Sequence, residues 1–246
     1  MLTRPSSARL TVIGPAGRAR ALDGLRRAGP AFEALSFEDR LGLPVGRKAA
    51  EGDTKRLTAR LTFAALRQAA TVEDPDHRTP RGIDRAVTVH LIDGGWSDRR
   101  ENRLITGQTG LGKSRIACVL GHKACRDGRS VACHRAPRLL EALALARGDG
   151  RHTRLPKAIA KLDVLILDDW GLSVPTPSGC RDLPEILEDC YGRTSTIVTR
   201  QSPVERWNRA SGDPTLAGAI LDRIVHNAHR PQFSADCTHR THVKHL

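Results

Sequence analysis

The chain has 246 residues, with 40 Lys+Arg against 27 Asp+Glu and a formal net charge of +13. With 39% apolar residues it can bury a core, yet no apolar run approaches the roughly 20 residues of a membrane span. Aromatic residues, at 3%, argue against a base-stacking RNA-binding sheet. The charge favours a polyanion partner, nucleic acid first, although only seven of the 40 basic residues are Lys and a GC-rich coding sequence gives the same Arg bias.

Residues 1–30 are rich in Arg, Gly, Pro and Ala, a composition that predicts weak order. Residues 1–22 hold four Arg and no acid, a faint likeness to a transit peptide. Ser36 followed by Asp39 has the spacing of a capping box and predicts a short helix from Phe37. Asp53 or Thr54 caps a second helix through about Ala70, with Leu57, Leu61, Ala64 and Ala65 as its apolar stripe. Arg56, Arg60 and Arg67 fall on another face of it. That face either grips DNA phosphates or is a solvated helix surface. Pro75 and Pro80 mark a linker. Residues 1–78 thus read as a small basic helical region, 79–233 as the main domain and 234–246 as a basic tail.

From about Arg81 short β-rich runs alternate with helical ones: Leu104–Thr106, Ser130–Cys133, Val164–Leu167 and Ser195–Thr199. This alternation predicts an α/β fold, a parallel sheet flanked by helices on both faces. Gly107-Gln108-Thr109-Gly110-Leu111-Gly112-Lys113-Ser114 fits G-x-x-x-x-G-K-[ST] and sits between an apolar strand and a helix-compatible run from Ile116. Glycines let backbone N–H groups converge on phosphate oxygens, and the following helix adds its N-terminal dipole. Lys113 is expected to neutralise the β- and γ-phosphates of ATP, and the Ser114 hydroxyl to ligate Mg²⁺.

The apolar run at 164–167 ends in Asp168-Asp169. Strands of such a sheet deliver their C-terminal residues to the ligand edge. Asp168 is assigned to the Mg²⁺ shell, and Asp169 to the attacking water. Asp168 follows Lys113 by 168 − 113 = 55 residues, which suits a neighbouring or next-but-one strand. The next strand ends at Thr199-Arg200-Gln201, where either Thr199 or Gln201 can sense the γ-phosphate. Arg223 lies in an amphipathic run, either as a salt-bridge partner of Asp222 or as an arginine finger for a neighbour's ATP.

The six cysteines form no C-x-x-C pair and read as reduced thiols of a cytoplasmic protein. Cys237, His239, His242 and His245 crowd the last ten residues, a metal tail or simply a frayed basic terminus.

The order of phosphate loop, acidic strand and later Arg resembles that of AAA+ ATPases. Five stretches narrow the resemblance: Pro80–Arg85, Arg135–Leu139, Leu145–Gly150, Leu165–Gly171, and Gly212–Ala217 through His226–Arg230. Together they resemble the IstB family, ATP-dependent helpers of bacterial insertion sequences, similar in turn to DnaC-type helicase loaders. The resemblance spans about Leu35 to Arg230. It implies assembly as a homo-oligomer on duplex DNA with ATP, and recruitment or stimulation of a transposase, with hydrolysis regulating release. It also implies that Lys113, Ser114, Asp168 and Asp169 keep the family roles, and that Arg223 acts in trans. A helicase loader and a nucleotide-responsive DNA-binding module with decayed catalysis are the alternatives. The chain departs from the family pattern at Pro156, Pro184, Arg200, Pro231 and the first 30 residues. Asp182 and Glu185 can rescue Pro184 by opening a new helix.

Overall fold

A computed structural model describes residues 36–73, 95–148, 154–171, 177–201, 223–224, 228–229 and 232–233. Several expectations lie outside them: weak order in 1–30, the linker at Pro75 and Pro80, the Asp222 pairing, Pro231, the Gly212–Ala217 stretch and the Cys/His tail. The chain forms two compact units, Met1–Ala59 and Arg60–Leu246.

Helix α1, Phe37–Ala64, begins as the capping box predicts. The Asp39 N–H donates to Ser36 Oγ at 3.2 Å, and Ser36 Oγ–H donates to Asp39 at 2.7 Å. The expected break before Asp53 is absent, because one helix runs through Pro44, Gly46 and Thr54. Thr54 does not cap. Its hydroxyl donates to the Ala50 carbonyl at 2.8 Å, and Thr58 repeats the pattern onto Thr54 at 2.9 Å, the bond a mid-helix threonine makes in place of a cap. Lys48 pairs with Glu51 one turn on, within the first unit. The helix ends at Ala64, earlier than expected, and Ala65 turns out of it at φ 49. That left-handed cap position more often belongs to glycine.

The second unit is built on a parallel sheet. Its strands are β1 (Asn102–Gly107), β2 (Val131–Arg135), β3 (Val164–Asp168), β4 (Ser195–Arg200), β5 (Ala228–His229) and β6 (Gln232–Phe233). The order is β2-β3-β4-β1-β5, with β6 also pairing β1. The four expected strands are all present. The acidic strand β3 stands next but one to β1, with β4 between them. Leu104, Leu165, Leu167 and Val198 fill one face of the sheet. They pack with residues of α4 (Ala136–Gly148), α5 (Arg154–Ile159) and α6 (Pro177–Cys190), among them Leu139, Leu143, Ile159 and Ile186. The alternate residues Ile105, Ile166 and Ile197 are equally buried. Ile166 meets Gly121 of α3 (Lys113–Arg126). Both faces being covered explains why these strands are apolar without alternation. A short helix α2, Gly95–Asp98, precedes β1 and buries Trp96 under the Arg103 guanidinium.

The two proline departures resolve locally. Pro156 is the third residue of α5, where its missing N–H has no intrahelical partner to lose. Pro184 stays inside α6, which runs unbroken from Pro177 to Cys190. No new helix opens at Asp182, which corrects the expected rescue. Four described cysteines, 118, 125, 133 and 190, are buried and free. No helix among the described residues is long and apolar enough to cross a membrane.

Candidate nucleotide site

The parallel register sets the C-terminal ends of the strands side by side. Arg135 on β2 lies opposite Asp168 on β3, and Thr106 on β1 lies opposite Arg200 on β4. At this edge β1 gives way to the loop 107–114 and then to α3. Gly110 and Gly112 take φ 89 and 81, which coil the loop back over the helix start. A side chain at either would be strained. Gly112 caps α3 with no side-chain bond. The first-turn N–H groups of any helix lack intrahelical acceptors, so this end suits an anion. Lys113 is buried, and its ammonium donates to the Gln108 carbonyl at 2.6 Å, across the mouth of the loop. Burial lowers its pKa, partly opposed by Asp169 and Asp168.

Asp168 is the hub of the site. It is 1% exposed. Its Oδ1 accepts from Ser114 Oγ at 2.8 Å and from the Thr199 hydroxyl. Burial pushes its carboxyl up, but the hydrogen bonds from Thr199, Ser114 and Arg67 and the charge of Arg67 outweigh this, and the net shift is downward. Asp169 turns out of the strand at φ 61. Thr199 fixes that turn from both sides: its Oγ1 accepts the Asp169 N–H at 3.0 Å, and its carbonyl accepts the Trp170 N–H at 2.9 Å. The Asp169 carboxylate accepts from Arg67 at 3.0 Å and from Arg135 at 2.9–3.0 Å.

Lys113, Ser114, Asp168, Asp169 and Thr199 therefore converge. Gly110, Gly112, Lys113, Ser114, Asp169 and Thr199 line a cleft of about 270 Å³ together with Gln201, which is exposed. Ser114 and Asp168 offer a hydroxyl and a carboxylate, the hard oxygen donors that suit Mg²⁺. No cluster of three or more His, Cys, Asp or Glu forms among the described residues, so a metal here would draw its other ligands from phosphate and water. Arg200 is buried and also lines the cleft. Its guanidinium lies against Gly171, where a Cβ would come within 2.8 Å of Arg200 Cζ.

Arg223 is elsewhere. Asn102, at the start of β1, donates to the carbonyls of Arg223 and Ile224 at 3.4 and 3.0 Å, which fixes Arg223 at the sheet edge opposite the phosphate loop. Its guanidinium pairs with Glu188 and stacks 5.6 Å from the Tyr191 ring centroid. The expected row of Arg56, Arg60 and Arg67 on one helix is corrected as well. Arg56 pairs with Asp53 on α1, and Arg60 donates to the Cys125 carbonyl at 3.4 Å. Arg67 lies past the helix end and reaches the acidic pair. Arg135, which pairs with Asp169, and Gln68, which also lines the cleft, went unread as site residues. The strand-end rule that found Asp168 finds Arg135 when applied to β2; Gln68 leaves no comparable signal in the sequence.

Comparison with known proteins gives the family and the fold. The profile of the IstB-like ATP binding protein family matches residues 11–245. A Sinorhizobium fredii protein named as an insertion sequence ATP-binding protein is 49% identical over 98% of both chains. A Pseudomonas fluorescens protein named likewise, from IS1162, is 43% identical over 87% of this chain and 93% of its own. Among solved structures, the DnaC helicase loader superposes with a TM-score of 0.55 at 17% identity, covering 67% of this chain and 97% of that one. AMPPCP-bound DnaA from Aquifex aeolicus gives 0.56 at 17% identity, over 70% and 52%. These two likenesses show an AAA+ fold. Its matched profile and its end-to-end relatives place this chain in the IstB-like ATP-binding family.

Proposed function

We propose that this protein is an ATP-hydrolysing helper of an insertion sequence, which assembles on duplex DNA and recruits or stimulates a transposase in the cytoplasm. The observation that carries the catalytic part is the meeting of Ser114, Asp168 and Thr199 beside the Lys113 loop. The loop and Lys113 hold the β- and γ-phosphates. Ser114 and Asp168 hold the metal, Asp168 directly or through water. A bound Mg²⁺ would offset the charge that builds on the phosphate oxygens. Asp169, held by Arg135, orients the attacking water, and Thr199 or Gln201 senses the γ-phosphate. Arg223 completes the site of a neighbouring copy.

The DNA contact rests on the net charge of +13 and on the exposed Arg56; Arg60 and Arg67 are engaged within the second unit. The relatives that match along their whole length are named for insertion sequences, which favours the transposition helper over a helicase loader. The test is ATP turnover against protein concentration, with and without duplex DNA. Turnover per subunit rises with both, and Lys113→Ala abolishes it. Concentration-independent turnover contradicts assembly, and no turnover in any condition leaves only nucleotide-responsive binding. A pull-down offering the partner transposase and a replicative helicase separates the two partner classes.

A further inference from the structure

The segment after α1 runs along α3 to the nucleotide cleft. Leu66 packs into the notch at Gly121, where an added Cβ would sit 3.0 Å from Leu66 Cδ2 and 2.7 Å from Ile166 Cδ1. The next contact is Cys118. Hydrogen bonding from Cys133, and then from the backbone of Gln68 and Arg67, pulls this thiol below its ordinary value despite burial. The anchored backbone delivers the Arg67 guanidinium to Oδ2 of both Asp168 and Asp169. Oδ1 of Asp168 already serves Ser114 and Thr199, so Arg67 holds the remaining oxygen of the carboxylate assigned to the metal.

Two features separate Arg67 from Arg135, which also pairs with Asp169. Arg135 ends a paired strand, and among the described residues its side chain pairs with Asp169 and not with Asp168. Arg67 lies on a stretch without helix or strand, so it can leave without breaking the sheet. A guanidinium and a divalent cation at one carboxylate oxygen repel each other, and the site favours one at a time.

We propose that Arg67 is an internal counter-cation of the catalytic carboxylates, exchanged for magnesium when metal and nucleotide bind, so that segment 65–73 changes with nucleotide state. This rests on the nucleotide reading above. Arg67 is a positioning residue in it: it holds Asp168 and Asp169 in place until the metal arrives, and its release frees the chain just beyond α1. A ligand that must displace a bound group loses apparent affinity by the strength of that group, and removing the group restores it.

The experiment is fluorescent binding of a mant-labelled ATP analogue to the full chain, in EDTA and across a Mg²⁺ titration, for wild type, Arg67→Ala and Arg67→Lys. The Mg²⁺ midpoint is expected to fall about tenfold in Arg67→Ala, with Arg67→Lys between. In wild type, hydrogen exchange at the Arg67 and Gln68 amides is expected to speed up when Mg²⁺ joins the nucleotide. An unchanged or higher midpoint in Arg67→Ala, with or without a lower melting temperature, means a structural tie and overturns the proposal. Should Arg67→Ala fail to fold, the Arg67→Lys midpoint and the wild-type exchange decide, and no change in both overturns it. Wild type binding the analogue in EDTA while the midpoint does not move sinks only the role of Arg67; wild type binding nothing sinks the nucleotide reading, and this inference with it.

Discussion

Burial pushes the Asp168 carboxyl up, and its hydrogen bonds from Thr199, Ser114 and Arg67, with the Arg67 charge, turn the net shift downward. Its folded pKa lies below the unfolded value of about 3.9. The ionised group therefore stabilises the fold above that value, and the contribution is lost as pH falls through it to the folded pKa. Urea midpoints of wild type and Asp168→Asn measured from pH 7 downward should show the advantage of wild type shrinking below about pH 4; a difference that is constant or grows in acid contradicts this. Thr199 also acts through Asp168 and by closing the turn at Asp169. Thr199→Val leaves the Asp169 N–H without its acceptor and is expected to cost about 1–3 kcal/mol in denaturant unfolding, most of it recovered by Thr199→Ser. A loss in Thr199→Ser with none in Thr199→Val would place the effect in the methyl group instead.

Helix α6 carries Pro184 eight residues in, where the ring removes one backbone bond and crowds the preceding turn. Pro184→Ala should raise stability by about 1–3 kcal/mol in a thermal melt; a loss would show that the proline shapes a needed bend. Gly121→Ala tests the opposite kind of fit. The new methyl meets Ile166 and Leu66 at once, and a cost of about 1–3 kcal/mol is expected. The elements also show what the sequence makes readable. Strands β1 to β4 and the loop 107–114 were legible because apolar runs, glycines and strand-end acids are local signals. Helix α1 was less so. Thr54 looks like a cap, yet the backbone carries the helix through it. Extending the second helix to Ala70 set Arg67 on a basic face, whereas the left-handed Ala65 swings it to the acidic pair. That contact joins residues 101 apart, and no spacing rule reports it.

The second unit divides its chemistry between two edges of one sheet. The C-terminal edge gathers the loop, the acids and Thr199, and the opposite edge holds Arg223 beside Asn102. Here Arg223 lies across the sheet from its own phosphate loop, which suits a role on a neighbour's site. Lys113→Ala and Arg223→Ala, each inactive alone, should then recover part of the turnover when mixed, since one copy supplies the loop and the other the arginine. Mixtures as inactive as the separate variants would confine Arg223 to its pair with Glu188. All of this depends on a triphosphate lying in the cleft between the loop and Asp168. Calorimetric titration with a non-hydrolysable ATP analogue and Mg²⁺ tests that most directly. Saturable binding near one per chain that disappears in Lys113→Ala is the predicted result; no heat in wild type, or equal binding in the variant, contradicts it.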